Sequence, residues 1–481
     1  MQHLFRRGAM LALISAGAMI GTAAHAQDKS EADCAALRDT VFEAGFVTSA
    51  RVVSAEGTAP AYCEVRATAL PAIAIEVRLP LSGWNGQYYQ VGCGGFCGSL
   101  GGRSGFVNAM GPGLEKGYAT ATTDSGHHGL TVIDADWADG NVNAERDWGW
   151  RSIGETNRVA QLMIEAFYDK PSDQAIFQGC STGGRMAHMA ALRYPEMFQG
   201  IISGAPALNE TGLAGPGLAW QVQANTGPDG EQILKADKVD LIAEEVLRQC
   251  DGVDGKEDKT IDDPRACTID LSTITCEAGA EGNQCITPEE REVVEKWRKS
   301  PVDSSGKVLF VGGVPEGSEP FWRVWLTGNE AGSPALNPLF AQTFGSYMAY
   351  PEDPGPAYKA TEFDFDKDPA RMAAAAKMYN ADDPDLSAFR EAGGKMIVWH
   401  GWADAIVPPY TTVAWHEAAA EAAGGAEELA KNVKLFMIPG LDHCGIAAGP
   451  SGVTQADLDP LGALETWMAS DEAPQSLMVG K

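Results

Sequence analysis

The sequence predicts an α/β fold, and three observations carry that expectation. Several short runs read as buried strands, each ends in a loop bearing glycine, histidine or aspartate, and one runs through G-x-S-x-G into a helical stretch. In chain order the runs are Gln87–Val91 (QYYQV), Ala119–Asp124 (ATATTD), Gln174–Phe177, Lys395–Trp399 (KMIVW) and Lys434–Ile438 (KLFMI). The helical stretch covers about Gly184 to Tyr194 and ends before Pro195.

Composition bounds what such a chain does. Its 481 residues hold 36 Lys+Arg against 65 Asp+Glu, a formal charge of -29, which excludes binding to a run of nucleic-acid phosphates. With 44% hydrophobic and 21% charged residues the chain is globular, and its many glycines and prolines follow no period, so repeat and solenoid architectures fail.

Residues Met1 to Ala26 read as a secretory signal peptide: Arg6 and Arg7, an apolar stretch from Ala9 to about Ala23, then Ala24, His25 and Ala26 before Gln27. Removing it takes away two arginines and no acid, and no later segment is long and apolar enough to span a bilayer. The expected location is therefore secreted or periplasmic, an oxidising setting in which the ten cysteines read as disulfides. Near neighbours match as Cys34 with Cys63, Cys93 with Cys97, Cys250 with Cys267 and Cys276 with Cys285, which leaves Cys180 and Cys444 for each other. Spacing alone does not fix this connectivity, and the tight Cys93 to Cys97 loop is the least secure pairing.

A bond between Cys180 and Cys444 draws Ser181 and His443 into one small volume, as nucleophile and base. Gly179, Cys180, Ser181, Thr182 and Gly183 form the G-x-S-x-G elbow, whose small residues suit a sharp strand-to-helix turn. The acid should lie between serine and histidine in sequence, and Asp404, on the loop after KMIVW, is the choice over Asp442, whose neighbour in the chain is the histidine itself. For an oxyanion hole, Thr182 N–H is the first donor, and Gly94 or Gly95, after QYYQV, supplies the second. His127 and His128 organise a loop or line the pocket, with the loop favoured. His188 is read as structural, and His400 and His416 have no partner in the sequence.

Between Cys250 and Cys267 the chain reads DGVDGKEDKTIDDPRA, where Asp251, Asp254 and Asp258 recur among glycines. That pattern suits either a calcium loop without EF-hand spacing or a solvated acidic turn.

Taken together, the stretch FQGCSTGGRMAHMAALRYPEMFQGIISGAPA (Phe177 to Ala207), the CDGVDGKEDKTIDDPRAC loop, HGWADAIVPP (His400 to Pro409) and the His443–Cys444 pair resemble the tannase and feruloyl esterase family of secreted serine esterases. That family includes mono(hydroxyethyl) terephthalate hydrolases. The resemblance implies a Ser181, Asp404, His443 triad with a Cys180–Cys444 disulfide. It also implies a structural calcium held by the side chains of Asp251, Asp254 and Asp258 and the carbonyls of Lys256 and Thr260, with no organic cofactor. The implied architecture is an α/β-hydrolase core, residues 27–208 and 383–481, with a lid inserted over 209–382 that contains the calcium loop. Lid aromatics Phe321, Trp322, Phe340, Phe344 and Tyr347 are candidates to grip an aromatic acyl group. FAQTFGSY (Phe340 to Tyr347) holds no arginine to pair with a terephthalate carboxylate, which leaves phenolic esters of hydroxycinnamic or hydroxybenzoic acids ahead of terephthalate monoesters. A binding protein on a hydrolase scaffold and an amide hydrolase are the competing expectations.

Overall fold

In the computed structural model, which describes residues 28–100, 109–277, 282 and 284–479, the expected strands join one ten-stranded sheet of order β1-β2-β3-β4-β6-β5-β7-β8-β9-β10. The leader expected over Met1–Ala26 lies outside the described residues. The strands are β1 (Val41–Phe42), β2 (Gly45–Val53), β3 (Tyr62–Ala69), β4 (Ile73–Pro80), β5 (Gln87–Val91), β6 (Ala119–Thr123), β7 (Gln174–Cys180), β8 (Gly200–Gly204), β9 (Lys395–Gly401) and β10 (Val433–Ile438). From β6 to β10 every pairing is parallel, whereas β1 to β4 form an antiparallel extension that joins the parallel part through β4 and β6.

Side-chain alternation explains why the central parallel strands are largely apolar on both faces. On one face Ala175, Phe177, Ile201, Met396 and Val398 pack beneath the helices Ser152–Tyr168, Thr182–Arg193 and Pro409–Ala422. On the other, Ile176, Ile202, Ile397 and Trp399 meet Leu461, Leu464 and Trp467 of the helix Pro460–Ser470. Both faces are covered, so both sets of alternate residues are mostly apolar and their few polar members, such as Gln90, Thr120 and Ser203, are buried. This is the α/β arrangement predicted from the sequence.

Two elements run further than the sequence indicates. Strand β7 continues through Gly179 and Cys180, which pair with Ser203 and Gly204 of β8, so the strand reaches the serine itself. The following helix begins at Thr182, directly after Ser181.

Between the adjacent strands β8 and β9 the chain leaves the sheet and, among the described residues, forms helices, turns and a few isolated β-bridges. Its first part builds a separate apolar cluster around Val239, Val246, Trp297, Trp322 and Trp325, and this cluster includes Ala403, Ala405, Ile406 and Val407 of the loop after β9. Its later part, with Phe344, Met348, Phe363 and Tyr379, packs into the main core. The inserted stretch is thus anchored both on the acid-bearing loop and on the main core.

All five disulfides expected from spacing are present: Cys34–Cys63, Cys93–Cys97, Cys180–Cys444, Cys250–Cys267 and Cys276–Cys285. Among the described residues no helix is long and apolar enough to cross a membrane.

Candidate active site

Ser181 sits where β7 breaks into its helix, with φ 63° and ψ -126°. A positive φ is costly for a residue with a Cβ and persists only where the surroundings enforce it. The glycines of the motif make room for the turn: a Cβ on Gly179 would lie 2.3 Å from the carbonyl carbon of Gly183. The result lifts the serine hydroxyl above the carboxyl edge of the sheet.

Two further strand ends deliver its partners. His443 follows β10 and Asp404 follows β9, and the strands pair in register, Ile438 beside Gly401. The Cys180–Cys444 disulfide, with Cα atoms 6.0 Å apart, ties the residue before Ser181 to the residue after His443. His443 Nε2 is 2.9 Å from Ser181 Oγ, and His443 Nδ1 is 2.6 Å from Asp404 Oδ2. An ionised carboxylate only accepts, so Nδ1 carries the ring proton and Nε2 is left to accept from the serine hydroxyl. Trp325 from the inserted stretch lies edge-on to the imidazole, 5.4 Å between ring centres.

Asp404 is fully buried yet has a partner on every side. Its Oδ1 accepts from the backbone N–H groups of Ile406 (3.0 Å) and Val407 (2.9 Å), and Oδ2 accepts from both His443 and His400. Burial pushes its pKa up, but His443 nearby and the bonds from His400 and His443 outweigh that and hold it at about 2. Asp442, the alternative acid, accepts instead from Ala447 N–H (3.4 Å) and makes no hydrogen bond to His443 among the described residues. Burial holds it up at about 7.

His400, left without a partner by the sequence, is the largest omission. Its Nε2 lies 3.1 Å from Asp404 Oδ2 and 3.0 Å from the Val407 carbonyl, and its Nδ1 lies 2.8 Å from Thr412 Oγ1. Both Nε2 neighbours are acceptors, so Nε2 donates, and Nδ1 is paired with the threonine hydroxyl. The signal was present in the spacing of His400 and Asp404, four positions apart at the start of a loop that ends at Pro408 and Pro409.

Thr182 opens its helix, so its N–H has no acceptor within that helix. Gly95 lines the same cavity as Ser181 and Thr182, whereas Gly94 is not among its lining residues. The Cys93–Cys97 disulfide closes a small ring through both glycines. Gly95 has φ +54°, and a Cβ there would lie 2.3 Å from the Val132 carbonyl oxygen, so only glycine fits.

The aromatic candidates separate. Phe340 lines the cavity at Ser181. Trp322 is buried against Trp297 with its N–H on Ser318, Phe344 is stacked on Phe96, and Phe321 is buried in the cluster of the inserted stretch. These three do not line that cavity, because their rings are consumed in packing; Phe96, Leu213, Leu218 and Glu210 line it instead. Tyr347 is partly buried against the main core. His127 stacks on Trp137 and bonds the Phe96 carbonyl at 2.6 Å, an organiser of the loop beneath the cavity, while His128 is exposed. His188 is buried edge-on to Trp415, and burial lowers it to about 3.

In the Cys250–Cys267 loop, Asp251 Oδ1 accepts from the N–H groups of Asp258, Lys259 and Thr260, and Asp254 Oδ1 accepts from Lys256 N–H. Among the described residues no three His, Cys, Asp or Glu side chains gather closely enough to form a metal cage as they stand. The donors available, carboxylates and backbone carbonyls, are of the hard type that calcium takes.

A family model described as tannase and feruloyl esterase matches residues 53–481. The chain is 31% identical over 520 residues to an uncharacterized esterase of Xanthomonas campestris, covering 98% of this chain and 87% of that one. It is 28% identical over 523 residues to the mono(2-hydroxyethyl) terephthalate hydrolase of Piscinibacter sakaiensis, covering 93% and 85%. Among solved structures, feruloyl esterase B from Aspergillus oryzae matches with a TM-score of 0.80 at 23% identity, over 93% of this chain and 92% of that one; this is a likeness of fold.

Proposed function

The chain belongs to the tannase and feruloyl esterase family, and from that premise we propose that it hydrolyses esters of aromatic, hydroxylated acids through an acyl-enzyme on Ser181. Its class is that of a carboxylic ester hydrolase. The observation that carries the mechanism is the unbroken line from Ser181 Oγ through the His443 ring to Asp404.

In this reading Ser181 attacks the ester carbonyl while His443 Nε2 takes its proton. Asp404 keeps the Nδ1 proton in place and stabilises the imidazolium. The carbonyl oxygen, now negative, faces the N–H groups of Thr182 and Gly95. His443 then passes its proton to the departing alcohol, and water releases the acid by the same route. The inserted stretch, expected as a lid over 209–382, supplies the pocket wall through Phe340, Leu213 and Leu218.

The test is a hydrolysis panel of methyl ferulate, methyl gallate, chlorogenate and a terephthalate monoester, with matched p-nitrophenyl esters and anilides. Turnover of the phenolic esters is expected; turnover confined to anilides, or to none of the esters, defeats the reading. An active-site phosphonate should label Ser181, which a binding protein on this scaffold would not permit.

The disulfide beside the triad yields a second expectation. The Cys180→Ser, Cys444→Ser double variant should lose about 100-fold in kcat, since small misplacements of reacting groups are costly, together with a lower Tm. Wild-type kcat in that variant would uncouple the bridge from the chemistry.

Calcium is proposed as a structural ion, held by Asp251, Asp254 and Asp258 side chains with the Lys256 and Thr260 carbonyls; it would lock the disulfide-closed loop and takes no part in the reaction. Millimolar calcium should raise the Tm of EDTA-treated protein by several degrees, and Asp251→Asn should remove the response. An unmoved Tm refutes this. Secretion is also part of the reading, supported by the five disulfides and the leader-like N-terminus.

A further inference from the structure

The cavity that opens beside Ser181 is walled by apolar groups, among them Phe96, Phe340, Leu213 and Leu218. Of its described lining residues, one is ionisable: Glu210, on the single turn Glu210–Gly212 that starts the inserted stretch. Glu210 is 5% exposed, and its Oε2 is buried with no hydrogen-bond partner among the described residues. Arg185 acts on it through space, with no described hydrogen bond between the two. Its Nη atoms donate instead to the carbonyls of Trp148, Gly149 and Tyr379.

An unpaired carboxyl in an apolar wall is expensive, and nothing in the packing of the turn requires one there. Asn209 caps the turn through its own side chain, donating no role to Glu210. A partner that arrives with the substrate removes the cost.

The side of the serine on which the cavity lies decides which half of the ester enters it. The lining includes Gly95, Ser181 and Thr182 but not His443. The histidine must reach the departing alcohol oxygen, so a pocket on the other side of the serine takes the acyl group. Resting on the ester-hydrolase reading above, we propose that Glu210 sets acyl specificity by hydrogen bonding a hydroxyl on the aromatic ring of the acid. It thereby selects hydroxylated aromatic acids over unsubstituted ones and over acids that carry a second carboxylate.

The chemistry is one-sided. A ring hydroxyl donates to a carboxylate, or exchanges donor and acceptor roles with a carboxylic acid, so it satisfies Glu210 in either protonation state. Burial raises Glu210 to about 7, against the opposing effect of Arg185. Once Glu210 is ionised, a terephthalate carboxylate would meet a second negative charge in the same apolar space with no described cation lining it, and like charges there are disfavoured. An unsubstituted ring leaves Glu210 as unpaired as before.

The experiment compares kcat/KM above pH 8, where Glu210 is ionised, for methyl 4-hydroxycinnamate, methyl cinnamate and monomethyl terephthalate in wild type, Glu210→Leu and Glu210→Gln. In wild type the hydroxylated ester should lead the unsubstituted one by about 10- to 100-fold, the range for a hydrogen bond to a buried charged group. In Glu210→Leu that ratio should fall to within about threefold, and the ratio of terephthalate monoester to methyl cinnamate should rise about tenfold or more. A hydroxyl preference that survives Glu210→Leu overturns the proposal. Should Glu210→Leu not fold, Glu210→Gln decides: it keeps the shape and removes the charge, so the terephthalate ratio must rise, and an unchanged ratio overturns the proposal. Wild type that turns over p-nitrophenyl acetate but none of the three aromatic esters overturns the proposed function itself. Equal turnover of the hydroxylated and unsubstituted esters in every variant overturns only the role of Glu210.

Discussion

Ser181→Ala is expected to lower kcat on aromatic methyl esters by roughly 10³- to 10⁶-fold while leaving the far-UV spectrum and Tm unchanged. The side chain removed makes one hydrogen bond among the described residues, to His443 Nε2, so no structural contact is lost with it. The backbone at this position already holds a positive φ with a Cβ present, so alanine adds no strain that serine did not have. Residual activity would come from the Thr182 and Gly95 N–H groups and from binding alone. A variant within tenfold of wild type would place the nucleophile elsewhere.

Asp404→Asn should cost about 10⁴-fold in kcat near neutral pH, with little change in KM. The carboxylate accepts four hydrogen bonds, two from backbone and two from imidazoles. An asparagine has one oxygen for these donors. If the oxygen stays on Ile406 and Val407, the amide N–H₂ faces both rings, and His443 must turn its proton toward Ser181, where it is useless as a base. If the amide flips, two backbone N–H groups are stranded in the core. Either arrangement removes the tautomer that the reaction needs. A loss below about tenfold would show that Asp404 does not orient His443. Its pKa, held at about 2, also means that Asp404 stays ionised through the neutral and mildly acid range, so any fall in rate between pH 7 and pH 4 is not its own titration.

Much of the site was legible because its parts obey local rules. The elbow announces itself by small residues around Ser181, and the strands that carry it and its partners are short apolar runs with a loop after each. What depends on how loops fold back was hidden. His400 and Asp404 are four residues apart, but only the return of the chain through Ile406 and Val407 brings the ring onto the carboxylate. The aromatic residues of the inserted helices carry no mark that separates a ring facing a cavity, Phe340, from rings facing a core, Trp322 and Phe344. Strands β1 to β4 escaped for another reason: polar and charged residues such as Arg51, Glu64, Arg66 and Glu76 lie among their apolar ones and pair with one another across the sheet. Glu210 left a faint trace, a lone acid between Ala205–Leu208 and Leu213–Leu218, and only the geometry shows that it faces the serine.

The Cys180–Cys444 bond joins the two ends of a covalent loop that encloses the whole inserted stretch. One covalent tether on the spacing of hydroxyl and imidazole is therefore set from outside that stretch, whatever its length. Over evolutionary time such a chain is free to rewrite the wall that recognises the acid while the bond-breaking atoms stay where they are, so descendants inherit a working reaction and try out new diets.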